Sequence, residues 1–181
     1  MRKVPSILLG EQGKEKEGCL FRAKISMEIR RALPSDLEDI NKLLYQVHKV
    51  HSTGRPDIFR PDNKKYTDEE LMEIIADKKR PIFVGILNGH VAGYAFCVFV
   101  EHRGERSLSD IRTLYIDDLC VDEALREKHI GKTLYEYVVN YAREEGFYNL
   151  TLNVWACNPS AIKFYESCGL SVQKIGMEKL L

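Results

Sequence analysis

The sequence predicts an α/β fold in which a twisted mixed β-sheet is flanked by helices on both faces. Apolar and polar residues alternate over short runs in the first half, and the dipeptide Asn88-Gly89 separates two such runs. The second half passes from strand to helix to strand to helix, the pattern of crossover connections between parallel strands. The Asn-Gly turn joins antiparallel strands instead, so both kinds of pairing are expected in one sheet.

The first half supplies a strand, two helices and a hairpin. A strand is expected over 27–31, and apolar residues at three- and four-residue spacing predict a helix of about 14 residues with Ser35 as its cap. Thr67, with Glu70 at the capping-box position, begins a second helix. Residues 51–66 between the helices are irregular and too apolar for a mere linker, and two aromatic residues, Phe59 and Tyr66, indicate a segment that folds over another part of the chain. The hairpin strands are 82–87 and 91–100.

The second half is predicted as a strand over 111–121, a helix from about Ile130 to Gly146, a strand over 149–154 and a helix over 158–168. Residues 170–181 are expected to form one or two strands. Residues 27–181 then make a single domain. Residues 1–26, rich in charge and glycine and without a sustained period, are interpreted as an N-terminal extension that is flexible or derives from an upstream start or an artificial junction before Met27.

Composition excludes several functional classes. The 181 residues carry 27 Lys and Arg against 27 Asp and Glu, so no basic field draws the chain to nucleic acid. The five cysteines have no CxxC spacing, which argues against a disulfide framework and against a metal site. No apolar run approaches the roughly 18 residues of a membrane span. We expect a cytoplasmic protein that binds neither nucleic acid nor membrane.

A basic loop precedes the helix that begins near Ile130. Helix N-termini offer unpaired N–H groups and a positive dipole end, and Arg126, Lys128 and Lys132 add charge, so the loop is a candidate phosphate site. The loop lacks the Gly-Lys-Ser/Thr ending of a P-loop and the GxGxxG of a dinucleotide site. Neither an NTPase nor a dehydrogenase is supported.

A second motif follows the loop. Residues 158–169 read Asn-Pro-Ser-Ala-Ile-Lys-Phe-Tyr-Glu-Ser-Cys-Gly. The two motifs resemble the acetyl-CoA loop and the distal motif of the GNAT (GCN5-related) N-acetyltransferases. The loop is represented by Val121 and Arg126-x-x-x-x-Gly131, and the distal motif by Asn-x-x-Ala-x-x-Phe-Tyr-x-x-x-Gly. The order of elements over 27–181 also resembles the GNAT fold. The resemblance implies acetyl transfer from acetyl-CoA to a primary amine in a ternary complex.

The resemblance also implies roles for individual residues. The strand before the loop would splay from its neighbour at a bulge, and Tyr165 would be the general acid that protonates the leaving thiolate. The implied cofactor-binding residues are Leu119, Cys120, Val121, Arg126, Glu127, Lys128, His129, Ile130, Gly131, Lys132 and Asn158. Glu127 and His129 replace glycines of the family loop, which predicts weakened affinity for acetyl-CoA rather than loss of the site, provided that His129 keeps a negative φ.

The candidates for the catalytic base are Asp117 and Asp118. Strand alternation predicts that their side chains point to opposite faces, so that one faces the cleft. The run 116–121 resembles a run of the diamine acetyltransferases. Asn153 stands where the bacterial ribosomal-protein alanine acetyltransferases have a glutamate, and an amide cannot take that proton.

The acceptor is left open between classes. The two aspartates favour a cationic small-molecule amine or polyamine, whereas the basic residues of 51–66 favour an anionic acceptor, and a protein amine is a further alternative. These basic residues are Arg55, Arg60, Lys64 and Lys65. A homodimer paired through the edge at 170–181 is expected. The alternative function is a catalytically idle acyl-CoA-binding or sensory domain.

Overall fold

The structure, a computed structural model, describes residues 27–102, 104, 106–107 and 109–181. Over these residues one five-stranded sheet has the order β1-β2-β3-β4-β5. The strands are β1 (Glu28–Arg31), β2 (Ile82–Leu87), β3 (His90–Glu101), β4 (Arg112–Val121) and β5 (Asn149–Leu152). Strands β1 to β4 pair antiparallel with their neighbours, and β5 pairs parallel with β4. The predicted mixed sheet is confirmed, while the interpretation of 1–26 falls outside the described residues.

Four helices cover the two faces of the sheet. They are α1 (Leu37–Gly54), α2 (Asp68–Ala76), α3 (Ile130–Glu144) and α4 (Pro159–Ser167). The crossover from β4 to the parallel β5 runs through α3, as parallel neighbours require. Short 3-10 turns at Pro34–Asp36 and Glu123–Leu125 precede α1 and the loop before α3.

Two core clusters lie on opposite faces of the sheet. The first cluster, under α1 and α2, contains Ala32, Ile40, Leu43, Leu44, Leu71, Ile74, Ile82, Val84, Val91, Tyr94, Phe96 and Cys120. The second cluster, under α3, contains Phe83, Ala95, Cys97, Leu114, Ile116, Leu134, Tyr135, Val138 and Ala142. Phe164 and Cys168 pack α4 and its end against the second cluster. Helices therefore cover both faces, as predicted.

The local turn and cap signals have mixed outcomes. The Thr67 side chain accepts a hydrogen bond from the Glu70 N–H at 3.2 Å, and the Glu70 carboxylate accepts one from the Thr67 N–H at 2.8 Å. Asn88 and Gly89 have φ values of 51° and 81°, as a tight hairpin turn requires. Ser35 does not cap α1, because it lies inside the 3-10 turn that precedes it. The helix also runs on to Gly54, so the irregular segment begins at Arg55.

The strands predicted over 170–181 are wrong. The chain from Cys168 to Leu181 has no helix or strand, and its apolar side chains are among the most exposed of the described residues. These side chains are Val172, Ile175, Met177, Leu180 and Leu181. β5 pairs with β4 alone in the described part of the chain, so its outer edge is open, and the tail does not pair with that edge. No helix in the described ranges is long and apolar enough to cross a bilayer.

Candidate active site

The centre of the site is an opening between β4 and β5. Their pairing runs from Thr113–Asn149 to Ile116–Leu152 and then stops. Beyond it β4 continues to Val121 beside β3 only, whereas β5 ends at Leu152. The Asp122 N–H donates to the Ala92 carbonyl at 2.9 Å, and alternation along this antiparallel ladder turns the N–H groups of Leu119 and Val121 away from β3. These backbone donors therefore face the opening, and the Leu119 N–H also donates to the Asp118 carboxylate.

A β-bulge in β4 stands at the entrance to this opening. Phe96 of β3 pairs with Asp118, but the next residue, Cys97, pairs with Ile116, so Asp117 is an extra residue in β4. The bulge reverses the alternation of the strand. Ile116 belongs to the second cluster, whereas Cys120, which strict alternation would place on the same face, belongs to the first.

The prediction that the two aspartates point to opposite faces is therefore wrong. Asp117 accepts a hydrogen bond from the Tyr66 hydroxyl at 2.7 Å, and Asp118 accepts one from the Tyr94 hydroxyl at 2.8 Å. Tyr94 belongs to the first cluster and Tyr66 packs against it. Both carboxylates thus lie on the α1 side of the sheet, because the bulge adds a residue between the two halves of β4.

The two carboxylates differ in their electrostatic environment. Asp117 is paired with the Lys65 ammonium, whose Nζ lies 2.7 Å from Asp117 Oδ2. Burial raises the pKa of Asp118 to about 6, and the charge of Asp117 adds to the rise while the Tyr94 hydrogen bond and Lys65 oppose it. Burial also raises the pKa of Tyr94 well above its ordinary value, so Tyr94 remains a neutral donor. Asp118 is therefore a carboxylate that exchanges a proton near neutral pH.

Tyr165 lies within electrostatic range of Asp118. Burial raises the pKa of the Tyr165 phenol, and the negative charge of Asp118 raises it further. No hydrogen bond joins its hydroxyl to a residue that the structure describes. The phenol is thus held in its protonated form.

Tyr115 and Asn153 bridge the two strands at the opening. Asn153 Nδ2 donates to the Tyr115 hydroxyl over 3.1 Å, just beyond the last β4–β5 pair. The Tyr115 hydroxyl proton remains available to a ligand, because the hydroxyl accepts this bond. Asn153 therefore joins the site as an amide donor and not as a base.

The loop from β4 to α3 adopts left-handed backbone at two residues that are not glycine. Glu127 has φ 66° and His129 has φ 60°. The condition of a negative φ at His129 is not met, because the loop keeps the turns that glycine would make most easily. His129 is the N-cap residue of α3, so the first N–H groups of that helix follow it directly.

The other predicted cofactor residues come together around this loop. A Cβ on Gly131 would lie 3.4 Å from Val121 Cγ2 and 3.6 Å from Phe164 Cζ, which places the end of β4, the start of α3 and α4 in contact. Arg126, Lys128 and Lys132 are exposed beside them, and Ile130 is buried. The Asn158 side-chain oxygen, Oδ1, caps α4 by accepting a hydrogen bond from the Ala161 N–H at 3.2 Å. The side-chain NH₂ group of Asn158 is left for a ligand.

Cys120 is part of the core at this end of β4. Its thiol donates to the Leu43 carbonyl oxygen at 3.7 Å, and burial raises its pKa to about 12, with the Asp118 charge contributing. The thiol is therefore protonated at neutral pH. A protonated, buried thiol is a poor nucleophile, and Cys120 packs in the first cluster.

Residues 55–66, here called the acceptor segment, fold over the α1 side of the opening. The Phe59 ring contacts the Trp155 ring at 5.3 Å and 83°, and the His51 ring at 5.3 Å. Burial lowers the pKa of His51, and the charge of Lys65 lowers it further. The segment is thus fastened to the turn between β5 and α4, an association that spacing along the sequence does not indicate.

Most cations of the acceptor segment are already paired. Arg55 binds the carboxylates of Asp57 at 2.8 Å and Glu178 at 2.7 Å, and Lys64 pairs with Asp68. Sequence reasoning missed the contributions of Tyr94 and Trp155 to the site, whereas the composition of residues 51–66 already indicated Phe59 and Tyr66. The described residues contain no group of three or more His, Cys, Asp or Glu side chains that could hold a metal ion.

Comparison with known proteins places this arrangement in a family. The sequence model described as the Acetyltransferase (GNAT) family matches residues 44–170, which is more than half of the chain. The chain belongs to the GNAT acetyltransferase family. The matched range contains the β4 opening, the loop before α3 and the distal motif on α4, so the resemblance found in the sequence is confirmed.

Relatives of this GNAT protein include plant enzymes. Glucosamine 6-phosphate N-acetyltransferase 1 of Oryza sativa is 29% identical over 150 residues, which are 83% of this chain and 86% of that protein. The glucosamine 6-phosphate N-acetyltransferase of Arabidopsis thaliana is 34% identical over 65 residues, and this match spans 36% of the chain and only 42% of that protein. Among solved structures, a mutant of the BH1408 protein of Bacillus halodurans has a TM-score of 0.82 at 30% identity, covering 85% of this chain and 99% of that one.

Proposed function

We propose that this GNAT protein transfers the acetyl group of acetyl-CoA to the primary amine of a small molecule, by direct attack within a ternary complex. The observation that carries the proposal is the position of Asp118 at the mouth of an opening between parallel strands, within electrostatic range of the protonated Tyr165 phenol. A base, backbone donors and an acid then stand around one cleft. The family match supports acyl transfer, and the plant relatives are named for a small-molecule amine.

Asp118 takes the proton from the acceptor. An ammonium has no lone pair, so it must lose a proton before its nitrogen attacks the thioester carbon. A carboxylate with a pKa of about 6 is ionised at neutral pH and close enough to that pH to accept a proton directly or through water. Asp117 is less suited to this task because the Lys65 ammonium is already bound to it.

The opening binds the thioester and stabilises its addition product. When the amine forms the new C–N bond, the carbonyl oxygen becomes an oxyanion. The Val121 N–H, which faces the opening, is the proposed donor to this oxygen, and the Leu119 N–H, which also donates to Asp118, is a second donor. Collapse breaks the C–S bond, and Tyr165 donates its proton to the leaving thiolate. The second proton that the nitrogen loses as the amide forms returns through water to the Tyr165 oxygen. The pantetheine arm would run along 119–121, and the diphosphate would meet the N–H groups and charges of 126–132, with the Asn158 amide as a further contact.

The proposal is tested by titrating acetyl-CoA into the protein in a calorimeter and then adding a panel of primary amines while thiol release is followed. Saturable binding with release on one class of amine supports the proposal and identifies the acceptor class. Binding without release on any amine would favour the alternative, a catalytically idle acyl-CoA-binding or sensory domain. Absence of binding would contradict the assignment of the loop at 126–132.

We further propose that the protein is a homodimer that buries its C-terminal tail. Val172, Ile175 and Leu180 are each at least 77% exposed, which is unusual for several apolar side chains in one short segment. A mass in solution near 42 kDa, about twice the 20.9 kDa of the chain, is expected. Ile175→Glu should shift that mass toward the monomer, and a monomeric wild-type protein would contradict the proposal.

A further inference from the structure

We propose that Lys65 sets the acceptor class of this site, because its ammonium occupies the carboxylate that a second amino group would need. The enzyme then prefers acceptors with one amino group to diamines and polyamines of the same length. This inference rests on the proposed acetyl transfer and names its substrate class. It also reverses the expectation that two neighbouring aspartates select a polyamine.

The ammonium of Lys65 is fixed on Asp117. Its Nζ lies 2.7 Å from Asp117 Oδ2, the same oxygen that accepts the Tyr66 hydroxyl at 2.7 Å. Lys65 and Tyr66 are neighbours in the chain, and the Tyr66 ring stacks on Phe96 at 5.7 Å and 18°. The Lys65 Nζ also lies 5.4 Å from the centre of the Tyr66 ring. The packed tyrosine therefore holds the lysine backbone where its side chain reaches the bulge.

The ion pair is favoured in its charged form. Burial lowers the pKa of Lys65, but the hydrogen bond and charge of Asp117 outweigh it, and the net pKa is raised. The side chain of Asp117 is 21% exposed and that of Lys65 is 44% exposed, so the pair borders the cleft and remains accessible to a ligand. An incoming second ammonium would have to displace Lys65 or approach it as a like charge.

Asp118 is then the one carboxylate of the bulge, among the described residues, that can bind the ammonium of the acceptor. The side chain that donates a hydrogen bond to Asp118 is Tyr94, whose hydroxyl is neutral. In the part of the chain that the structure describes, no direct ion pair therefore balances the charge of the Asp118 carboxylate, since Lys65 is paired with Asp117. The groups that face Asp118 are Tyr94 from β3, Lys65 from the acceptor segment, Asp117 and Cys120 from β4, and Tyr165 from α4. A single reacting ammonium matches this arrangement, whereas a dication does not.

The test compares three acceptors of similar length: butylamine, 4-aminobutan-1-ol and 1,4-diaminobutane. Thiol release is measured at pH 8.5, where Asp118 is ionised with or without Lys65. Wild-type protein is expected to show a lower kcat/KM for the diamine than for the two monoamines. Lys65→Met should raise the ratio of diamine to monoamine kcat/KM by about tenfold, because the change removes a repulsion and frees an attractive carboxylate.

Three variants separate this effect from a general one. Lys65→Arg keeps the charge and should keep the wild-type ratio. Lys64→Met removes the neighbouring lysine, which pairs with Asp68, and should also leave the ratio unchanged. The double variant Lys65→Met with Asp117→Asn should lose the gain seen with Lys65→Met alone, because the freed carboxylate is gone. Thermal melting of each variant checks that it is folded.

The outcomes distinguish this inference from the proposed function. Turnover of all three acceptors with a ratio that Lys65→Met does not change would overturn the inference and leave acetyl transfer in place. The same rise in the ratio in the double variant would also overturn it, because the gain would not depend on Asp117. Absence of thiol release from these three acceptors, with release on another primary amine of the panel, would overturn the inference alone. Absence of release from every amine of the panel, with acetyl-CoA bound, would overturn both the inference and the proposed function.

Discussion

Asp117 and Asp118 are consecutive residues of β4, yet their carboxylates accept hydrogen bonds from two tyrosines, Tyr66 and Tyr94, of one and the same core cluster. In a regular strand they would lie on opposite faces. The bulge at Asp117 brings both acids to the α1 side and at the same point ends the regular alternation of the strand. One extra residue thus sets both the position of the candidate base and the charge that Lys65 must balance.

Activity should depend on the ionisation of Asp118. The carboxylate is the active form, and its pKa of about 6 is higher than the ordinary value of 3.8. We therefore expect kcat/KM to rise about tenfold per pH unit below pH 6 and to level off above it. Asp118→Asn should lower kcat by about 10²–10⁴-fold and remove this rise. Asp117→Asn is the matched control, and an unchanged acid limb in Asp118→Asn would contradict the assignment.

The same carboxylate should cost stability at neutral pH. Its pKa in the folded state is above the unfolded value, so the penalty is absent below about pH 4, grows between the two pKa values and is fully present above pH 6. The change in the free energy of unfolding caused by Asp118→Asn should therefore differ between the two pH values. It should be more favourable at pH 8 than at pH 4 by about 1–3 kcal/mol. Urea denaturation at both pH values measures the difference. An equal effect at both would show that Asp118 is not destabilised by burial.

Tyr165→Phe removes the proposed proton donor while keeping the aromatic ring that α4 carries at this position. We expect kcat to fall by about 10²-fold or more, with the acetyl-CoA dissociation constant changed less than about twofold. Calorimetry and steady-state kinetics on the same preparation give both values. Tyr115→Phe is the control, because it removes a hydroxyl at the opening that is not proposed as the acid. An unchanged kcat in Tyr165→Phe would remove Tyr165 from the mechanism.

Glycine at the two left-handed residues of the cofactor loop should strengthen acetyl-CoA binding. Side chains at φ values of 66° and 60° cost about 1 kcal/mol each, and Glu127 also places a negative charge in the loop proposed to hold the diphosphate. Glu127→Gly and His129→Gly are each expected to lower the acetyl-CoA dissociation constant by about threefold to tenfold. His129→Ala separates the causes, since alanine keeps the strain but removes the imidazole. Equal gains from alanine and glycine would show that backbone strain is not the cause.

Trp155 should affect the acceptor more than acetyl-CoA. Its edge-to-face contact with Phe59 fastens the acceptor segment, and such pairs contribute about 0.5–1.5 kcal/mol beyond their buried area. Trp155→Ala is therefore expected to raise the acceptor KM about fivefold and to leave the acetyl-CoA dissociation constant nearly unchanged. Trp155→Phe retains a ring and should have a smaller effect. A loss of acetyl-CoA affinity as large as the rise in KM would contradict this separation.

Local signals in the sequence predicted the elements well. The capping box at Thr67 and the turn at Asn88-Gly89 each depend on a few neighbouring residues, and both formed as predicted. The bulge was not located, because it depends on the register between β3 and β4 rather than on any residue type. The tail pattern at 170–181 predicted strands, but alternation alone does not create a ladder, and the tail leaves the outer edge of β5 unpaired in the described chain.

The candidate site was predicted less completely for the same reason. The loop and distal motifs are contiguous in sequence, so their residues could be named and do converge at Gly131. The partners of Asp117 come from a distant segment, because Lys65 and Tyr66 precede it by about 50 positions. The contact between Phe59 and Trp155 likewise joins residues that are far apart in the sequence. Only the folded chain brings these side chains together.

The pairing between β4 and β5 ends at Ile116 and Leu152. The unpaired backbone amides beyond this point can show by hydrogen exchange whether a ligand fills the opening. The amides of Leu119 and Val121 lie on a strand that is central in the sheet, but they have no β5 partner to slow their exchange with solvent deuterium. In the free protein, a peptide spanning 117–122 should take up deuterium faster than the paired part of β4. A ligand that fills the opening supplies the missing partner, so protection at this peptide would reveal binding even where no chemistry follows.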